Sequence, residues 1–145
     1  MAIVSSSGFH HARLTVTDVV VSKAFYDKVF GFPVAVDNSE RVDEPGVRES
    51  ADDFYGGVVY AMPSGQILGL RPVAPADQQF DSEHTGLDHV SFSVESRDEL
   101  VRIAAALEEH GIVHGEVRDL DGFGIAILSF DDPDGIHLEL TAVTA

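Results

Sequence analysis

Between Phe9 and Thr17 (FHHARLTVT) apolar and polar residues alternate and β-branched side chains recur, which predicts a half-buried strand. Asp18 stands where a helix would open. Phe25, Tyr26, Val29 and Phe30 follow at i, i+1, i+4 and i+5, and Gly31 is placed to end the helix in the left-handed conformation. Pro33–Val36 reads as a short strand. Residues 37–55 (DNSERVDEPGVRESADDFY) are acidic and show no apolar period, which predicts a long mobile loop able to order over a ligand. Strand patterns return at Val58–Met62 and Gln66–Arg71 across the turn Pro63-Ser64-Gly65. Residues 72–86 form a connector that Pro72 and Pro75 keep out of helix, and residues 1–8 read as a loose lead-in.

Past the connector the same order recurs. Leu87–Val94 alternates as a strand, and Ser96 with Glu99 forms an S-x-x-E capping box. Leu100, Ile103, Ala104 and Leu107 then share one helical face, closed by Gly111. A short strand is expected over residues 112–118. Gly124–Phe130 and Ile136–Thr141 follow as strands around the turn Asp132-Pro133-Asp134-Gly135. The likeness of the halves reaches individual letters: His11-Ala-Arg-Leu14-Thr15-Val16 matches His89-Val-Ser-Phe92-Ser93-Val94, and Pro63-x-Gly65-x-x-Leu68-x-Leu70 matches Pro133-x-Gly135-x-x-Leu138-x-Leu140. The first offset is 78 and the second 70, so the first half carries eight extra residues, placed in the 37–55 loop. The predicted fold class is α+β: two βαβββ modules, residues 9–71 and 87–141, whose curved mixed sheets surround a cleft in a single domain.

Composition narrows the function. The 145 residues carry 9 Lys and Arg against 25 Asp and Glu, a formal charge of −16, so the field repels polyanions and disfavours nucleic acid and anionic membrane surfaces as partners. A hydrophobic share of 44% is enough for a core, and no apolar run approaches the roughly 20 residues of a membrane span. No basic-then-apolar signal pattern opens the chain. Cysteine is absent, which removes disulfides, thiolate nucleophiles and Cys-ligated zinc, fits a cytoplasmic setting, and leaves His, Asp and Glu to hold any metal.

Strand alternation sets His11, Arg13 and Thr15 on one face, His89, Ser91 and Ser93 on another, and His137, Glu139 and Thr141 on a third. The repeat makes His11 and His89 equivalent, and packing the modules about a pseudo-twofold would bring both to one cleft that Glu139 can join. Two neutral imidazoles and a carboxylate make a facial triad with positions open for water, substrate or O₂. Arg13 is either a cation for a substrate carboxylate or the partner of one of the 25 acids. Arg71 could serve likewise, although its place at a strand end points to solvent. His137 is either an acid/base or second donor near the metal, or a residue that lines the pocket. His10 is expected to point away from His11, His110 to cap a helix C-terminus, and His84 and His114 to lie in loops.

At these residues the chain resembles the vicinal oxygen chelate family, which includes glyoxalases, bleomycin-resistance proteins and extradiol dioxygenases. The motifs are His11-x-x-Leu14-x-Val16-x-Asp18 with Ser22-x-x-Phe25-Tyr26 and Gly31-Phe32, then Leu87-Asp88-His89-Val90-x-Phe92, then Phe130-x-Asp132-Pro133-Asp134-Gly135-x-x-Leu138-Glu139-Leu140. The resemblance runs from Phe9 to Thr141. It implies a divalent metal, Fe, Mn, Ni or Zn, on His11, His89 and Glu139, and a homodimer. Gly69 stands where four-ligand members carry a further ligand, and Ser129 stands where extradiol dioxygenases carry Tyr. The expected function is metal-dependent chemistry on a small oxygen-rich substrate, with isomerase, lyase and oxygenase outcomes open. The alternative is a protein that binds a small molecule or antibiotic without chemistry, as bleomycin-resistance proteins do.

Overall fold

The computed structural model describes residues 2–144, and the chain divides between Gln78 and Gln79 into two compact units. Residues 2–8 have no regular structure; Met1, the rest of the expected lead-in, lies outside the described residues, as does Ala145.

The first unit contains β1 (His11–Thr15), α1 (Val19–Val29), β2 (Val34–Asp37), β3 (Val58–Ala61) and β4 (Ile67–Arg71). The sheet order is β1-β4-β3-β2, with β1 and β4 parallel and the other pairs antiparallel. The helix carries the chain from one sheet edge to the other, so the last strand slots in beside the first. Asp18 starts α1 as expected: its Oδ1 accepts from the N–H groups of Val20 at 2.9 Å and Val21 at 3.2 Å. Gly31 ends it at φ +60, donating to the Tyr26 carbonyl. The face α1 buries is Val19, Ser22 and Tyr26, while Phe25, Val29 and Phe30 are half-buried. That face covers Leu14, Val58, Tyr60, Leu68 and Leu70, each buried and each contributing on the order of 2 kcal/mol of burial.

Tyr60 ties helix to sheet. Its hydroxyl donates to Asp27 Oδ1 at 2.9 Å, and Asp27 also pairs with Lys23 at 2.6 Å. Burial first, and then the hydrogen bond to Asp27, push the Tyr60 phenol well above its ordinary range. Lys23, donating to the other oxygen of Asp27, is raised by that hydrogen bond.

Residues 38–57 differ from the expected loose loop. They fold as three single turns of 3-10 helix at Ser39–Arg41, Val47–Glu49 and Phe54–Gly56. Val42 and Val47 are buried beneath them, two apolar residues at a spacing that matches neither helix nor strand and so leaves no periodic trace. Asn38 Nδ2 donates to the Asp53 carbonyl at 2.8 Å, and Arg48 Nη1 donates to the Pro72 carbonyl at 2.7 Å. Gly57 seats the segment on the sheet: a Cβ there would stand 2.0 Å from the Leu70 carbonyl oxygen.

The second unit repeats the plan with β5 (Val90–Val94), α2 (Arg97–Glu109), β6 (Arg118–Leu120), β7 (Ile125–Asp131) and β8 (His137–Val143), in the order β5-β8-β7-β6. Ser96 Oγ accepts from Glu99 N at 3.2 Å, whereas the Glu99 carboxylate turns to Arg102, so the capping box is half made. Phe92, Leu100, Leu107, Leu128, Phe130, Leu138 and Leu140 form this unit's core. The turn between β7 and β8 is held by buried Asp132, whose Oδ1 accepts from the N–H groups of Asp134 and Ile136, both at 2.9 Å. The strand expected over residues 112–118 is not formed; β6 begins at Arg118, and His114 makes a single bridge to Phe130. The His114 ring bonds the Gly115 carbonyl and Glu108 at 2.7 and 2.9 Å, which together raise its pKa.

The two sheets share one strand order, and β4 and β8 begin 70 residues apart, as the repeat predicts. Residues 38–57 join β2 to β3, whereas only residues 121–124 join β6 to β7, which places the first half's surplus where it was expected.

Candidate metal centre

The unpacked face of the second sheet gathers polar side chains in register. Ser91 lies opposite Glu139 and Ser93 opposite Thr141 across the parallel pair; Ser129 lies opposite Glu139 and Asp131 opposite His137 across the antiparallel one. Alternation requires this, because Phe92, Leu138 and Leu140 of the same strands point into the core.

His89, just before β5, brings its Nε2 to 3.8 Å from Glu139 Oε1. Its Nδ1 donates to Asp88 Oδ1 at 2.7 Å, which fixes the ring's orientation and turns Nε2 toward Glu139. Glu139 is held as well. Thr141 Oγ1 donates to Glu139 Oε1 at 3.2 Å; having one proton, it must accept from Ser91 Oγ, 2.6 Å away. A relay of two hydroxyls thus orients the carboxylate. His137 repeats the carboxylate–imidazole pattern, with Nδ1 2.7 Å from Asp131 Oδ1 and its ring edge-on to Phe80.

In the first unit His11 is exposed on β1, with its Nδ1 2.9 Å from His10 Nδ1. The expectation that His10 points away is corrected: the two rings meet edge to face at 5.2 Å. Arg13 lies opposite Gly69, and its side chain crosses above that glycine, where a Cβ would meet Arg13 Nε at 3.2 Å. The absent side chain at 69 is therefore room for Arg13. Arg71 is half-buried rather than exposed, with Nε sealed from solvent. Ser91 and Thr141 act from the faces that alternation gave them beside His89 and Glu139, whereas Asp88 and Asp131 had been given no role; their signal was adjacency to His89 and cross-strand pairing with His137.

A divalent cation fits the second unit's donor pair. Ligand atoms about 2.0–2.2 Å from a metal stand about 3–3.5 Å apart, so the 3.8 Å pair needs only a small side-chain rotation. One imidazole nitrogen and one half-buried carboxylate are ligand types that the borderline ions take. Among the described residues no three His, Asp or Glu side chains are assembled into a cluster; the second unit joins the pair His89–Glu139, and His11 belongs to the first unit. No helix among the described residues is long and apolar enough to cross a membrane.

Two repeated βαβββ units with open four-stranded mixed sheets, and a histidine and glutamate meeting on one sheet face, define a glyoxalase-like protein. The chain belongs to the glyoxalase/bleomycin resistance protein/dioxygenase superfamily, whose family model matches residues 8–140. It is similar to the uncharacterized protein YaeR of Escherichia coli (strain K12), 31% identical over 132 residues that cover 90% of this chain and 92% of that one. A glyoxylase/bleomycin resistance protein/dioxygenase domain from Frankia sp. EAN1pec is similar in structure, with a TM-score of 0.73 and 29% identity over 96% of this chain and 93% of that one. The fold is shared with a mutant of the genomically encoded fosfomycin resistance protein FosX from Listeria monocytogenes, solved with Mn(II) and 1S,2S-dihydroxypropylphosphonic acid. That match has a TM-score of 0.69 at 16% identity, covering 97% and 95% of the two chains.

Proposed function

We propose that the protein is a metal-dependent enzyme of the vicinal oxygen chelate type acting on a small oxygen-rich organic substrate. The observation that carries this reading is the approach of His89 Nε2 to Glu139 Oε1, with both groups held from behind by Asp88 and by the Ser91–Thr141 relay. His89 and Glu139 supply two ligands. The family's pattern makes His11 the third, from the first unit of the same chain or of a second copy in a homodimer. A bound divalent ion would act as a Lewis acid toward substrate oxygens. His137, with Asp131 on its Nδ1, holds or accepts a proton at Nε2 during turnover.

The test is metal analysis of protein purified without a histidine tag. Near-stoichiometric Fe, Mn, Ni or Zn is expected, and its loss in His89→Ala and Glu139→Ala. Thr141→Val, which frees the carboxylate, should weaken metal affinity by about 10–100-fold while the protein stays folded. Wild-type protein that takes up no divalent metal, yet binds aromatic antibiotics equally well in all three variants, would make it a sequestering protein instead.

A further inference from the structure

The first unit holds a second group of residues that the metal reading does not use. Arg71 and Arg13 share the ring of Tyr55: the Arg71 guanidinium lies 3.8 Å from the ring centroid and that of Arg13 lies 6.0 Å from it. Four of the chain's seven arginines, Arg41, Arg48, Arg97 and Arg102, pair with carboxylates. Arg13, Arg71 and the exposed Arg118 have no carboxylate partner among the described residues, and of these three Arg13 and Arg71 meet at one ring. Arg71 Nε is moreover buried with no hydrogen-bond acceptor. Both guanidinium groups meet one ring, and the idle buried donor of Arg71 is a hydrogen bond that an anion could complete.

The backbone maintains this arrangement against its own preference. Phe54 and Tyr55 adopt φ +49 and +59, the left-handed region that aromatic residues avoid, and together they swing the Tyr55 ring over the guanidinium groups. Gly56 and Gly57 complete the bend, packed on Val42 and on the Leu70 carbonyl, so the ring cannot relax without lifting the segment off the sheet. Gly69 keeps the floor flat for Arg13.

We infer that Arg13, Arg71 and Tyr55 form an oxyanion subsite that takes the carboxylate or phosphoryl group of an anionic ligand. The guanidinium groups supply charge-assisted hydrogen bonds, and the Tyr55 face braces Arg71. His11 lies two residues before Arg13 on the same strand face. If the metal reading holds, the inference therefore deepens it by making the substrate an oxygen-rich acid; the subsite itself stands on residues of the first unit alone.

The test titrates inorganic phosphate, and separately acetate, into the full chain labelled with ¹⁵N. The Nε–Hε signals of Arg13 and Arg71 are assigned by their loss in Arg13→Gln and Arg71→Gln. Saturable shifts of both signals are expected with at least one probe and not with chloride at equal ionic strength. The probe that binds more tightly says whether the ligand's acid is phosphoryl or carboxyl. Affinity should fall roughly tenfold or more in Arg71→Gln, and several-fold in Tyr55→Leu, with far-ultraviolet circular dichroism unchanged. It should persist in His89→Ala and Glu139→Ala, whereas the metal content of Arg71→Gln should equal that of wild type. Shifts that do not saturate, that chloride reproduces, or that survive in Arg71→Gln overturn the subsite whatever the metal content. Absence of metal with saturable anion binding overturns only the metal reading.

Discussion

Tyr60 shows how one buried polar atom sets a measurable property. Its hydroxyl bonds a carboxylate that Lys23 also holds, so Tyr60→Phe should cost about 1–2 kcal/mol in urea denaturation. The sign of the pH effect follows from the raised phenol. The unfolded chain ionises Tyr near pH ~10, while the folded chain keeps the proton, so the contribution is complete below that pH and is lost as pH climbs beyond it. Stability measured between neutral pH and pH ~11 should therefore fall more steeply in wild type than in Tyr60→Phe, and parallel profiles would refute the assignment. At the same scale, strand alternation found the facing of His11, His89, His137 and Glu139. It missed Tyr55, because a ring placed by two left-handed residues inside an aperiodic run has no pattern to betray it.

Elements were legible where a local signal spans several residues. Both helices open at the residues the sequence marked, Asp18 and Ser96, because a cap is read from one side chain and its N–H partners. Asp18→Ala, which frees two N–H groups, should destabilise by about 1–2 kcal/mol, and Ser96→Ala by about 1 kcal/mol, both measured as shifts of the urea midpoint at constant slope. Strand ends moved by one to three residues, since pairing and not composition decides them: β5 begins at Val90 rather than Leu87, and β8 runs on to Val143 opposite Ile125. The 112–118 segment makes only an isolated bridge, His114 to Phe130, and regular pairing starts at Arg118. The acidic run failed as a loose loop because its two valines are buried under backbone turns that no alternation encodes.

For the whole chain the repeat was the most informative signal. Equivalent letters 70 residues apart foretold that both sheets would share one strand order, and they do. The proposed third ligand, His11, is marked by the repeat, which makes it the counterpart of His89, and by the family's pattern; nothing within either unit requires it. Net charge acts at this scale too. With a formal charge of −16, self-repulsion opposes the compact state, so raising sodium chloride from about 20 to 300 mM should increase the thermal midpoint by a few degrees. A midpoint that falls with added salt would mean that the surface ion pairs outweigh the repulsion.

The chain has no tryptophan and three tyrosines, of which Tyr26 and Tyr60 are sealed in the core. Tyr55 alone sits partly open, with a guanidinium stacked on its π-face. The phenol absorption band thus carries a built-in, label-free gauge of the 54–57 bend. Any event that lifts the ring off Arg71 should register as an ultraviolet difference spectrum that Tyr55→Phe abolishes.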